Sequence, residues 1–186
     1  MIDTLETPRL YLRPLELEGA AQTQLLFPHW EVVRFLNSRV PWPYPPDGAE
    51  THFREVILPA MARGTQWHWT LRLKSNPDQL IGMISLMADQ PDNRGFWLGV
   101  PWQDQGLMTE ASEAATGYWF EKLEFPVLRA AKAIANAASR RISEKNGMRV
   151  VGLEESDYVS GRYLTEVWEI TAEEWRVRRK GAPARG

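Results

Sequence analysis

Apolar and polar residues alternate over Arg9-Leu10-Tyr11-Leu12-Arg13 and stop at Pro14, as expected of a short strand with one buried face. From Leu15 to about Leu36 apolar residues return at helical spacing but are interrupted at Pro28, which predicts two short helices. Four prolines within Val40 to Pro46 exclude helix and central strand and leave an extended aromatic loop. Asp47, with Glu50 three residues later, reads as a capping box opening a helix through Phe53, Val56, Ile57 and Met61 that ends at Gly64. Gln66 to Leu73 and Leu80 to Met87 alternate about Asn76-Pro77-Asp78 and predict an antiparallel hairpin, followed by a strand over Gly95 to Val100. Leu107, Ala111, Ala114, Ala115 and Tyr118 mark an amphipathic helix to about Leu123. Val127 to Ile134 is apolar enough for a buried strand, Ala137 to Lys145 forms a helix closed by Asn146-Gly147, and two strands flank Ser160-Gly161 before a helix over Ala172 to Arg179.

At 186 residues without a repeat or linker, the chain predicts a single domain over residues 1–186, with its core at about 7–175 and a frayed tail over 180–186. A hydrophobic fraction of 44% is ordinary for a globular protein, whereas 9 Trp predicts aromatic-lined surface as well as core. The net charge of -2 supplies no basic field for a phosphate backbone, so nucleic acid is not an expected partner. No apolar run approaches membrane-span length and the acidic opening Met1 to Glu6 has no signal-like core, so the expected location is cytoplasmic, with no membrane partner. There are 0 cysteines, which removes disulfides, thiolate metal sites and cysteine nucleophiles. His29, His52 and His68 occur singly, without ligand spacing, and no metal is expected.

Pro101-Trp102-Gln103-Asp104-Gln105-Gly106-Leu107-Met108-Thr109-Glu110-Ala111 lies between a predicted strand and a helix start. Unpaired amides and the helix dipole make such a position a phosphate site, and Gly106 presents no side chain to obstruct close approach. On spacing alone the plainer role, a glycine closing a turn, is favoured.

That run resembles the acetyl-CoA-binding loop of the GNAT superfamily of N-acetyltransferases, in its RimJ/RimL-like branch: Gln103 and Gly106 match its Gln/Arg-x-x-Gly-x-Gly/Ala pattern, and Met108 departs from the last place. Thr7 to Pro14 resembles the branch's first strand, Leu80 to Leu86 its Ile-Gly strand, and Asn136-Ala137-Ala138-Ser139 with Glu144 to Met148 its Asn-x-x-Ser helix. The resemblance covers Thr7 to about Trp175. It implies an α+β, three-layer fold with a mixed, mostly antiparallel sheet, splayed between its fourth strand (Gly95 to Val100) and its fifth, with helices on both faces. It also implies acetyl-CoA (coenzyme A) as cosubstrate. The diphosphate would lie on the amides of Gln103, Gln105, Gly106, Leu107, Met108 and Thr109, and the pantetheine arm would lie along the backbone of Leu98 and Val100, with Asn136 as a further contact. Leu98 and Val100 are expected to be core as side chains. Val100 or a neighbour would serve the developing oxyanion with its amide, and Ser139 would be the catalytic donor to the departing thiolate.

With no cysteine to carry an acyl group, the simplest route is direct attack by an amine on the bound thioester. No general base stands out: Glu110 lies in a first helical turn that favours acids anyway, and His68 reads as a base, a substrate contact or a satisfied core histidine. An α-amine with pKa near 7.8 is roughly one-tenth neutral at pH 7 and can manage with water, which with the branch resemblance favours a peptide or protein N-terminus. A small-molecule amine, or a catalytically silent acyl-CoA-binding module, is the alternative. Trp30, Trp42, Tyr44 and Trp69 are candidate acceptor-site aromatics, Arg140 reads as a phosphate contact or an i+4 partner of Glu144, and the oligomer is a monomer or homodimer.

Overall fold

The period-two segments form two sheets in the computed structural model, which describes residues 2–181. In the first, β1 (Leu5–Glu6), β2 (Leu10–Pro14), β3 (Gln66–Leu73), β4 (Asn76–Met87) and β5 (Arg94–Leu98) lie side by side in chain order, all antiparallel. In the second, β6 (Val127–Ala133) pairs with β8 (Gly161–Thr171), and β8 with β7 (Arg149–Tyr158), again antiparallel.

The first sheet is covered on both faces, as its alternation requires. Leu10, Leu12, Trp69, Leu71, Ile84 and Leu86 pack against Leu107, Ala111 and Ala115 of α5 (Leu107–Gly117) and against Tyr118 and Trp119 of the wide turn that continues it. On the opposite face Leu15 and Met83 pack against Ala20 of α1 (Ala20–Leu26), Ala49 of α3 (Gly48–His52), and Phe53 and Ile57 of the π turn leading to α4 (Leu58–Ala62). Pro28 separates α1 from α2 (Trp30–Val33). Pro59, early in α4, lacks the N–H that a continuous ladder needs, consistent with the π turn before it. The second sheet carries α6 (Ala137–Lys145) and α7 (Ala172–Gly181). No helix among the described residues is long and apolar enough to cross a membrane.

The expected splay is present. The Asn93 amide donates to the Arg129 carbonyl at 2.8 Å and the Arg129 amide to Asn93 Oδ1 at 2.9 Å, after which β5 and β6 separate into different sheets. Because Leu5–Glu6 forms an additional short strand, the split lies between β5 and β6 in this numbering.

Several local expectations are corrected. Asp47 occupies the N-cap of α3 without a side-chain bond, and Glu50 is paired with Arg54, so neither half of the expected capping box forms. The β3–β4 turn is at Lys74-Ser75; Asn76-Pro77-Asp78 belongs to β4, where a register shift accommodates it. The strand expected to reach Val100 stops at Leu98, and Val100, expected to be core, is 42% exposed in a short 3-10 turn. Lys180 and Gly181 of the expected frayed tail complete α7, and residues 182–186 lie outside the described residues.

Candidate active site

Gly106 is the N-cap of α5 with φ +76°, and Asp104 just before it is also left-handed at φ 59°. These two reversals turn the chain from the end of β5 into the helix, and a side chain at 106 would be strained there. The first helical bond is from the Glu110 amide to the Gly106 carbonyl at 3.1 Å, so the amides of Gly106, Leu107, Met108 and Thr109 precede the ladder, and no side chain caps the helix. Leu107 and Met108 send their side chains into the main core, so the side chain at the departing position 108 does not crowd these amides.

The other predicted turn residues act differently. Gln103 donates its side-chain amide to the Leu98 carbonyl at 2.9 Å and its main-chain amide to Val100, while the Gln105 side chain bonds the Pro101 carbonyl. The turn is braced from behind: the Glu110 carboxylate accepts from the Thr7 hydroxyl, the Arg9 amide (2.8 Å) and Arg9 Nε (2.7 Å), and the Arg9 guanidinium also reaches the Gln105 carbonyl at 2.9 Å. Glu110 therefore points away from the helix start. Burial pushes its carboxyl pKa up, but these hydrogen bonds outweigh burial and the net direction is down. Sequence reasoning missed Arg9.

Strand register decides which backbone groups line the split. Gly99 donates to Ile81, directly opposite it, so the odd residues of β5 bond β4 and the N–H and C=O of Phe96 and Leu98 face the split. On the far side Ile134 donates to Leu164, so the backbone of Ala131 and Ala133 faces β5. Gly82 lies opposite Leu98, and a Cβ there would come within 2.4 Å of the Trp97 carbonyl oxygen; the Ile-Gly pair thus lets β5 pack closely on β4.

At the far wall, Asn136 is the N-cap of α6, its Oδ1 accepting from the Ser139 amide at 3.2 Å. Its oxygen is therefore committed to the helix, leaving its Nδ2 donors. Ser139 is 6% exposed, and its hydroxyl makes no hydrogen bond among the described residues. Arg140 is held by Glu166 at 2.7 and 2.8 Å rather than by Glu144.

Of the candidate aromatics, Trp69 is fully buried with its indole N–H on the Asp3 carbonyl, and Tyr44 packs edge-on to Phe27; both are structural. Trp30 and Trp42 form an exposed pair with centroids 5.7 Å apart. His68 is buried and bonded at 2.8 Å to Gln66, which in turn donates to Asp89; burial, reinforced by nearby His52, lowers its pKa to about 4, so it is neutral at pH 7. The Tyr158 hydroxyl is within 3.0 Å of the Thr165 hydroxyl, and burial raises its pKa.

A sheet that opens between two parallel-running strands, with an uncapped helix start at its open end, is the architecture of a fold that holds an extended phosphate-bearing ligand between strands. Residues 9–149 match the family described as Acetyltransferase (GNAT) domain, and the chain belongs to that family. It is accordingly an acetyl-CoA-dependent N-acetyltransferase. The chain is 29% identical over 139 residues to "Putative ribosomal N-acetyltransferase YdaF" of Bacillus subtilis (strain 168), covering 70% of this chain and 74% of that protein. Among solved structures, the ribosomal-protein-S5-alanine acetyltransferase from Vibrio fischeri superposes with a TM-score of 0.79 at 14% identity, covering 93% of this chain and 98% of the other. RimL, a ribosomal L7/L12 alpha-N-protein acetyltransferase solved with coenzyme A, superposes with a TM-score of 0.76 at 17% identity, covering 91% and 98%.

Proposed function

We propose that this chain is a single N-acetyltransferase domain that acts in the cytoplasm and acetylates the α-amine of a protein or peptide N-terminus by direct transfer at the split between β5 and β6. The observation that carries the site is the uncapped start of α5 at the open end of that split. Bound there, acetyl-CoA supplies an acetyl group activated as a thioester. The amides of Gly106 to Thr109 hold its diphosphate, and the Phe96 and Leu98 backbone lines the pantetheine arm. Gln103 acts through Leu98 by fixing the end of β5, and Gln105 through the turn it closes. A β5 backbone amide that faces the split is the donor for charge developing on the acetyl oxygen; Val100, exposed in the turn past the strand end, lies beside the diphosphate rather than the thioester. Asn136 offers Nδ2 to the arm, and Ser139 offers its hydroxyl to the departing sulfur.

The α-amine is favoured on two grounds. The relatives named above are protein N-acetyltransferases by name. His68, the buried histidine, is tied to Gln66, and Glu110 to Arg9, so neither serves as a base, and an amine that is roughly one-tenth neutral at pH 7 needs none beyond water. The test offers labelled acetyl-CoA with three acceptors: a peptide with a free N-terminus, the same peptide Nα-blocked but carrying lysine, and a polyamine. Turnover confined to the first supports the reading; preference for the polyamine or the lysine overturns the acceptor assignment. Enzyme incubated without acceptor should retain no label, and a covalent adduct required for turnover would overturn direct transfer.

A further inference from the structure

Lys132 lies on β6 within a stretch read from sequence simply as a buried apolar strand. It is only 8% exposed, and it crosses the split to place its ammonium over the Phe96 ring of β5, 4.8 Å from the centroid. Among the described residues its Nζ makes no hydrogen bond, and no carboxylate lies within the 4.0 Å of an ion pair. Glu166, its cross-strand neighbour on β8, is occupied by Arg140 and the Trp168 indole. The charged groups acting on Lys132 are Asp92, which draws it toward the charged form, and the fully buried Arg94, which repels it. Asp92 is itself buried with Oδ1 unpartnered, and Arg94 is directed to Thr116 and Asn146, the latter bonded to Glu113. Tyr158 approaches Asp92 from the opposite face of the second sheet.

The Lys132 side chain is largely withdrawn from solvent without a hydrogen bond among the described residues, and a cation–π contact contributes only about 0.5 to 2 kcal/mol toward holding its charge there. Asp92 and Glu113 both act on Arg94, which leaves Lys132 in the split with a cation–π contact and, among the described residues, no carboxylate paired directly with it. We infer that Lys132 is the cation that faces the sulfur of the bound cofactor and stabilises the thiolate released by acetyl transfer, beside the Ser139 hydroxyl. The inference rests on the split being the cofactor site. As the acceptor nitrogen bonds the acetyl carbon, the carbon–sulfur bond breaks and its electron pair stays on sulfur; the acceptor's surplus proton leaves to water, and the Lys132 ammonium remains against the thiolate. Burial lowers the Lys132 pKa from its ordinary value, which makes its ammonium a readier proton donor than a free lysine.

The test is calorimetric titration of the wild type, Lys132→Met and Lys132→Arg with CoA and with desulfo-CoA, which lacks the thiol, from neutral to alkaline pH. The wild type should gain affinity for CoA, but not for desulfo-CoA, as the thiol ionises. Lys132→Met should lose that gain, on the order of tenfold; Lys132→Arg should keep most of it, and desulfo-CoA should bind all three alike. A wild-type alkaline gain retained in Lys132→Met overturns the proposal, as does an equal loss of affinity for CoA and desulfo-CoA, which would make Lys132 a packing residue. Acetyl found on Lys132 during turnover also overturns it, because an amide carries no charge. Failure of desulfo-CoA to bind the wild type would instead remove the cofactor-site reading beneath it. Should Lys132→Met not fold, the wild-type comparison and Lys132→Arg still decide the matter.

Discussion

Arg9, the residue before β2, grips Glu110 in the first turn of α5 at 2.7 Å, tying the helix that presents the free amides to the base of a strand a hundred residues earlier. Glu110→Ala removes the acceptor of the Thr7 hydroxyl and of two Arg9 donors and should cost about 1 to 2 kcal/mol, with the exposed guanidinium contributing the smaller share. Because the folded pKa of Glu110 is depressed, this stabilisation is present above the ordinary carboxylate range and is lost as pH falls through the lowered value. Thermal melts of both proteins should therefore differ at neutral pH and converge in acid.

Gly106→Asp places a carboxylate at the helix start and a Cβ in a left-handed conformation, φ +76°. Strain of ~1 to 2 kcal/mol adds to charge repulsion, and acetyl-CoA affinity should fall about 100-fold or more by calorimetry. Gly106→Ala carries the strain without the charge and should fall between the two.

Ser139→Ala should lower kcat and kcat/KM together by ~10 to 100-fold while acetyl-CoA affinity stays near wild type, the pattern of an interaction made mainly in the transition state. Wild-type kcat would return Ser139 to a structural role. Loss of affinity alone would make it a cofactor contact.

Gly82→Ala inserts a methyl within 2.4 Å of the Trp97 carbonyl and 3.0 Å of Leu98 Cα, both backbone atoms of β5. Overpacking of this kind costs about 1 to 3 kcal/mol, and here it displaces the strand edge facing the split. Chemical denaturation should show the stability loss, accompanied by weaker acetyl-CoA binding. A stability loss with unchanged binding would mean that β5 does not position the cofactor.

His68 is held neutral by burial, with a folded pKa of about 4 against an ordinary value of 6.5. As pH falls from about 6.5 the unfolded chain takes up a proton that the folded chain refuses, so stability declines until about pH 4, by on the order of 3 kcal/mol if fully expressed. His68→Gln should flatten that part of the pH–stability curve.

The elements were legible because hydrophobic period is local: Gln66 to Leu73, Ala137 to Lys145 and Arg149 to Tyr158 fall where alternation and helical spacing put them. Gly106 at a strand-to-helix junction was equally legible, since a left-handed turn and an uncapped helix start are properties of a few consecutive residues. The split itself was expected only through family resemblance, because it consists of hydrogen bonds that β5 and β6 do not make, and a missing long-range pairing leaves no mark on local spacing. Only the tertiary structure committed Gln103 to Leu98, Arg140 to Glu166 rather than Glu144, and Asn136 Oδ1 to its own helix. It also brought Lys132 onto Phe96, 36 positions away in the chain. The burial that gives a lone ammonium its chemical meaning is produced by both sheets together, and no stretch of sequence contains it.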